Sequence, residues 1–247
     1  MNNAILYVYN LWTYVCQCMD SLKRQIFQYR DDLPMSRIIY YDFETTGLNP
    51  YHDRIIEYAF LDDNTQEFIN ELVNPQRKFE KKITDITGIH PDELQDKAPI
   101  EEQIQNIIDY INPDNSRVGF ETYLIAHNND SFDKIFLNET LIRLNDNSKT
   151  SQNLGKLRLY CKHIDTLLLA KKLLPELHSH SLKSLATYFK IKAGTHRAID
   201  DTQCLMKIYH KLLEVMSNKD TFQGEYHTKN TLLNNPRIVY AYLYRTH

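Results

Sequence analysis

The segment that most constrains the fold is Arg37-Ile38-Ile39-Tyr40-Tyr41-Asp42-Phe43-Glu44. Its β-branched and aromatic residues suit a half-buried pleated strand, and Thr45-Thr46-Gly47-Leu48-Asn49-Pro50 closes it with turn chemistry. A similar run follows at Ile55 to Leu61 and another at Glu67 to Val73. This spacing predicts an antiparallel meander of three strands.

The pattern then changes period. Ile100, Ile104, Ile107, Ile108 and Ile111 recur at helical spacing. Tyr123 to Asn128 reads as a short buried strand, Phe132 to Leu144 as a helix and Arg158 to Asp165 as the next strand. Two helices follow, Ser181 to Phe189 behind a serine cap and Ala198 to Met216. Strands first, then strand and helix in alternation, predict an α/β fold built on a mixed sheet. A late run from Arg237 to Leu243 reads as β-like and is expected to form an extra strand, without an assigned place.

At 247 residues the chain is long enough for one generous domain with appendages. The expected division is an N-terminal helical extension and connector over 1–36, the main domain over 37–216 and a C-terminal tail over 217–247. Met1 to Met19 carry no charge, and apolar positions 5, 8, 12, 15, 16 and 19 fit a helical stripe suited to docking on protein. Asn10, Thr13 and Gln17 interrupt that run and no basic segment precedes it, which argues against a secretory signal and against integral membrane anchoring. The four cysteines, Cys16, Cys18, Cys161 and Cys204, show no C-x-x-C spacing. Free thiols in an intracellular, reducing compartment, cytoplasm or nucleus, are therefore expected.

A net charge of −3 argues against a polybasic binder only until it is resolved along the chain. Residues 38–146 carry 22 acids and 9 bases, whereas residues 149–217 carry 5 acids and 12 bases. The neutrality is a cancellation between an acidic half and a basic half.

Asp42 and Glu44 stand two residues apart at the end of the first strand, so both side chains project from one face. Solvated acids at a strand end would look the same. Asp133 opens a helix after the buried strand Tyr123 to Asn128, where the helix dipole alone favours an acid. His196 precedes Asp201 by five positions at another loop-to-helix junction, where capping is the ordinary role of an acid. One chemistry accounts for all of them together. Phosphodiester hydrolysis with two divalent cations needs several carboxylates as hard oxygen ligands and a base such as imidazole, which titrates near neutrality.

These motifs resemble the DEDDh 3′–5′ exonucleases of the DnaQ-like family in the ribonuclease H-like superfamily. Asp42-Phe43-Glu44-Thr45-Thr46-Gly47 is similar to the family's first motif, Ala126-His127-Asn128 with Phe132-Asp133 to its second, and His196 with Asp201 to its H-x-x-x-x-D third motif. Arg197 stands where the tyrosine branch of the family would carry tyrosine, so the histidine branch is indicated. The resemblance implies a five-stranded mixed sheet, three strands antiparallel and the rest parallel, flanked by helices. It implies Mg²⁺ or Mn²⁺, two ions per site, held by Asp42, Glu44, Asp133 and Asp201, with His196 as general base. The implied reaction releases 5′-mononucleotides from the 3′ end of single-stranded DNA or RNA.

Thr45, Thr46, Thr87, His127, Asn128, Phe132 and Arg197 are the expected substrate contacts, for which simple packing is an equal account. Lys183 and Lys192 are further basic groups near the third motif. Two features depart from the family pattern. Related proofreading members carry histidine where Thr87 stands, and Asn129-Asp130-Ser131 holds one residue more than the usual spacing, which leaves Asp130 as a competing ligand. Two alternatives stay open: a proofreading subunit of a polymerase assembly, partnered through the N-terminal helix, and a non-catalytic nucleic-acid-binding module of the same fold.

Overall fold

The computed structural model describes residues 36–112, 121–146, 156–219 and 228–244. Strands β1 (Ser36–Thr45), β2 (Ile55–Asp62) and β3 (Phe68–Leu72) form the meander. After helices α1 (Lys81–Thr87), α2 (Pro91–Leu94) and α3 (Ile100–Ile111) come β4 (Glu121–Ala126), a 3₁₀ turn at Asn129–Ser131 and α4 (Asp133–Asp146). Strand β5 (Cys161–Asp165) leads into α5 (Thr166–Leu173), α6 (Leu182–Tyr188) and α7 (Ala198–Ser217), then α8 (Lys229–Asn234) and α9 (Pro236–Tyr244). The expected N-terminal helix lies outside the described residues.

The sheet has the order β3-β2-β1-β4-β5. The β1–β2 and β2–β3 pairs are antiparallel, and β1–β4 and β4–β5 are parallel. This is the expected five-stranded mixed sheet. Along β1 the side chains alternate between two cores. Ile38 and Tyr40 pack with residues of α5, α6 and α7, while Ile39, Tyr41 and Phe43 pack with residues of α3 and α4. Asp42 and Glu44 share the parity of Ile38 and Tyr40, so they emerge on the face that α7 covers.

The pairing of β1 with β4 ends at Tyr40 and Ile125, whereas its pairing with β2 continues to Thr45. The last residues of β1 therefore project beyond the parallel half of the sheet. Here β1 has an antiparallel neighbour on one side and a parallel one on the other, a place where sheets of this kind open a crevice at their carboxyl ends. A register shift between Glu44 and Thr45 bends the strand at that point.

One expectation is overturned. The run from Arg237 to Leu243 is not an extra strand but most of helix α9, with Pro236, Val239 and Leu243 as its buried residues. Pro236 suits a first helical position, and the three-and-four spacing of the buried set overrides local β preference. Cys161 and Cys204 are free thiols. Among the described residues no helix is long and apolar enough to cross a membrane.

Candidate active site

Three elements deliver the acids. Asp42 and Glu44 come from the projecting end of β1, and Asp201 from the first turn of α7, which packs over the same face. One carboxylate oxygen from each lies within 4.8 Å of the others. Asp133, the first residue of α4, is 2% exposed and accepts a hydrogen bond from the Phe43 N–H at 3.2 Å. That donor is free because β4 no longer pairs with β1 at this level.

The carboxyls perturb one another. Burial pushes Asp42 well above the ordinary carboxylate range, and the charges of Asp133, Glu44 and Asp201 push it further. Burial, Asp201 and Glu57 raise Glu44 to about 8. Burial raises Asp133 to about 8 despite the hydrogen bond from Phe43. Asp201 is also raised by burial, with His196 opposing the shift by its charge and its backbone hydrogen bond. No lysine or arginine among the described residues hydrogen-bonds to Asp42 or Glu44. Clustered hard oxygen donors that repel in the absence of a cation fit a divalent ion such as Mg²⁺ or Mn²⁺.

The third motif is shaped to present Asp201. His196 is exposed and sits at φ 58°, a left-handed conformation uncommon for a side chain with Cβ. Arg197 follows as the cap residue of α7, and Ala198 opens the helix. Gly194 lies directly over the Asp201 carboxylate: a Cβ there would fall 1.5 Å from Oδ1 and 3.0 Å from the Asp201 Cα. Only glycine leaves room for the acid.

The expected substrate contacts divide by what they touch. Thr45 Oγ1 donates to the Gly47 carbonyl at 2.6 Å, and Thr46 Oγ1 bonds Asp53 Oδ1 at 3.0 Å while accepting from the Arg54 N–H. Both are buried and build the turn after β1. Thr87 turns inward: it is 4% exposed, donates to the Ile83 carbonyl and accepts from the Ile89 N–H. Both roles of its hydroxyl are thus used inside the loop. His127 Nδ1 lies 3.0 Å from Thr166 Oγ1, and burial lowers its pKa to about 4. Asn128 takes a left-handed φ of 63° and gives its N–H to Asp165. Phe132 packs on Phe136 with ring centroids 4.8 Å apart. Arg197 directs Nε and Nη2 to Glu57 rather than outward.

Glu57 is the functional neighbour that sequence reasoning missed. It is 1% exposed, accepts from Arg197 Nη2 at 2.8 Å and from the Ala198 N–H at 3.0 Å, and so pins the start of α7 to β2 beside the acids. Its signal was a lone acid inside the apolar run Ile55 to Leu61. Asp165 and Asn129 were missed as well. Asp165 accepts from the N–H groups of Asn128, Asp130 and Leu167. Asn129 is fully buried, accepts from the Tyr41 hydroxyl and donates to the Ile164 carbonyl. The extra residue of the second motif is absorbed in this tucked 3₁₀ turn, where Asp130 pairs with Lys134 at 3.0 Å.

Comparison with known proteins places this geometry. The RNase_T family, described as exonuclease, matches residues 39–209. DNA polymerase III PolC-type of Bacillus subtilis (strain 168) is 33% identical over 185 residues, which cover 73% of this chain and 12% of the relative. DNA polymerase III subunit epsilon of Buchnera aphidicola subsp. Schizaphis graminum is 34% identical over 185 residues, covering 70% of this chain and 72% of the relative. This chain thus matches only a small part of the PolC-type proteins. Among solved structures, the zinc-bound complex of E. coli ExoI with single-stranded DNA aligns with a TM-score of 0.57 at 19% identity, covering 75% of this chain and 42% of that one. That likeness is one of fold.

Proposed function

The chain belongs to this exonuclease family, and from that premise we propose that it is a divalent-metal-dependent 3′–5′ exonuclease that releases 5′-mononucleotides from single-stranded DNA or RNA. The observation that carries the reading is the convergence of Asp42, Glu44 and Asp201 within 4.8 Å. Asp133, held beneath them through Phe43, completes the set. The named relatives, both parts of DNA polymerase III, favour DNA.

Asp42, Glu44 and Asp201 would hold one cation, and Asp42 with Asp133 a second. When bound, the cations supply Lewis acidity to the attacking water and the leaving oxygen. The chain's own residues do the rest. Phe43 N–H and the start of α4 fix the Asp133 carboxylate, and Glu57 with Arg197 fixes the helix that carries Asp201. His196, exposed beside Asp201, accepts the proton of the attacking water at its imidazole. An unstacked single strand can bring its terminal phosphodiester into such a crevice, which a stacked duplex end cannot do without fraying.

Single strands labelled at the 3′ or the 5′ end test the reading. The 3′ label should appear at once as a mononucleotide, the 5′ label only at the end of digestion, and EDTA should stop both. Release of the 5′ label first, or cleavage in EDTA, would overturn it. The polymerase III relatives favour one second reading, that the same nuclease proofreads within a polymerase assembly. Faster excision of a mispaired than of a paired 3′ terminus, and co-elution with the polymerase of the source organism, would support it.

A further inference from the structure

Helix α9 lies beyond the residues that match the exonuclease family, yet it reaches the second acidic motif. It packs along β5, the last strand of the sheet. At its start Arg237 Nε pairs with Glu121 at 2.6 Å. At its end Lys172 Nζ donates to the carbonyls of Tyr242 and Leu243, each at 2.9 Å, satisfying groups that a helix terminus leaves open. Tyr240 meets Tyr123 edge-on, with ring centroids 6.2 Å apart, and packs at a tilt against Tyr244, at 4.9 Å. These contacts aim the last residue of the helix, Tyr244, at the carboxyl end of β5.

The Tyr244 hydroxyl donates to Asp130 Oδ2 at 3.0 Å and accepts from the Asp165 N–H at 3.2 Å. Asp130 in turn gives its own N–H to Asp165 Oδ2 at 3.0 Å. Tyr244, Asp130 and Asp165 thus close a ring of three hydrogen bonds at the head of α4. Asp133 follows Asp130 by three residues and begins that helix. The segment between them is the tucked turn that carries the extra residue, and Phe132 leaves it with an irregular backbone at φ −137° and ψ −84°. The turn's own bonds, from the Ser131 N–H to the Asn128 carbonyl and from the Phe132 N–H to the Asn129 carbonyl, are long at 3.2 and 3.3 Å, which leaves a role for ties from outside in setting where Asp133 stands.

We propose that α9 acts as a strap and that Tyr244 is a positioning residue for the metal site, setting the place of Asp133 through Asp130 and Asp165. The inference rests on the exonuclease reading for its meaning, but its test does not need turnover. If the helix only covered the sheet edge, the Tyr244 hydroxyl would be dispensable for cation binding.

The experiment is Mn²⁺ titration of the full chain, read by calorimetry and by electron paramagnetic resonance, for wild type, Tyr244→Phe, Asp130→Asn, the double variant and Arg237→Ala. Tyr244→Phe should bind Mn²⁺ about 10-fold more weakly, the scale expected when a partner that orients a ligand is lost. Its melting temperature should stay within a few degrees of wild type, and the double variant should be no weaker than the worse single one. Arg237→Ala, which removes one anchor at the far end of α9 and leaves the Lys172 and Tyr244 contacts in place, should lose clearly less Mn²⁺ affinity than Tyr244→Phe. Unchanged Mn²⁺ affinity in Tyr244→Phe overturns the proposal, and so does an equal loss in Arg237→Ala or a wild type that binds no Mn²⁺. A wild type that binds Mn²⁺ tightly but degrades no strand would overturn the exonuclease reading alone, and the strap would still be read from the titrations.

Discussion

Glu44 and Glu57 face each other across β1 and β2 in register, and their fates differ. Two like charges directly opposite on one face of a sheet repel. At Glu57 the conflict is resolved: Arg197 bonds it with two nitrogens, the Ala198 N–H adds a third donor, and only 1% of the residue meets solvent. At Glu44 it is left standing, with the carboxyl raised to about 8 and Asp42 and Asp201 crowding in. The Arg197 charge eases Glu44 a little but gives it no hydrogen bond, so on the proposed reading that charge is left for a cation to balance. Glu57 holds the scaffold, and Glu44 is the one left unbalanced.

Removing the unsatisfied charge should break function without harming the fold. Glu44→Gln is expected to lower the rate of mononucleotide release by about 10³-fold, the scale of losing a group that balances transition-state charge. In EDTA at pH 8 the same variant should melt above wild type, because one of the repelling carboxylates is gone. A variant that melts lower there would show that Glu44 has a partner after all. Gly194→Ala attacks the site from the other side. Its new methyl group would collide with the Asp201 carboxylate and approach its Cα, so the acid or the start of α7 must move. A displacement near 1 Å typically costs about 10²-fold in rate. Activity within twofold of wild type would mean that Asp201 has room to spare.

The satisfied partner should show the opposite pattern. Arg197→Ala leaves Glu57 buried with a charge and no cation. Fully buried pairs lose ~3–5 kcal/mol when one partner is removed. The Arg197 side chain is 41% exposed, so the expected loss of unfolding free energy is smaller, about 2–3 kcal/mol. Denaturant unfolding at constant m-value measures it. A loss under about 0.5 kcal/mol, with a raised KM for the strand, would return Arg197 to the role of phosphate contact that its place in the third motif suggests.

The same contrast explains what the sequence could and could not show. Helix α3 runs from Ile100 to Ile111 as its isoleucine spacing predicts, and Ser181 caps α6 through the Ser184 N–H. The acids of the site were legible because chemistry demands residue types at short, local spacings. Their supports were not. Glu57 meets Arg197 across 140 positions of sequence, and Asn129 meets Tyr41 across 88. No local pattern announces a partner at that distance. Helix α9 misled for the same reason, since Ile238, Val239, Tyr240 and Tyr242 favour strand locally while its helical burial is set by β5 and Lys172.

The smallest effect is a dependence of stability on pH, and its sign follows from the unsatisfied set. Glu44 and Asp133 release their protons near pH 8 in the folded chain, against about 4 when unfolded. Between those values the folded form holds more protons, so without metal the unfolding free energy falls as pH rises. The half-buried histidines His127 and His163, both lowered to about 4 by desolvation, act in the other direction. Their contribution is complete once the unfolded imidazoles are neutral, above about pH 6.5. The well-paired Asp62 and Glu121, lowered below the ordinary carboxylate range, change only in more acidic solution. From pH 6.5 to 8 the carboxylate set therefore dominates, and the melting temperature in EDTA should drop by a few degrees. A divalent cation takes the place of the protons, so Mn²⁺ should remove most of that slope and stabilise more at pH 8 than at pH 6.5. A flat or rising profile in EDTA, or equal stabilisation by Mn²⁺ at both pH values, would mean that Glu44 and Asp133 are as well satisfied as Glu57.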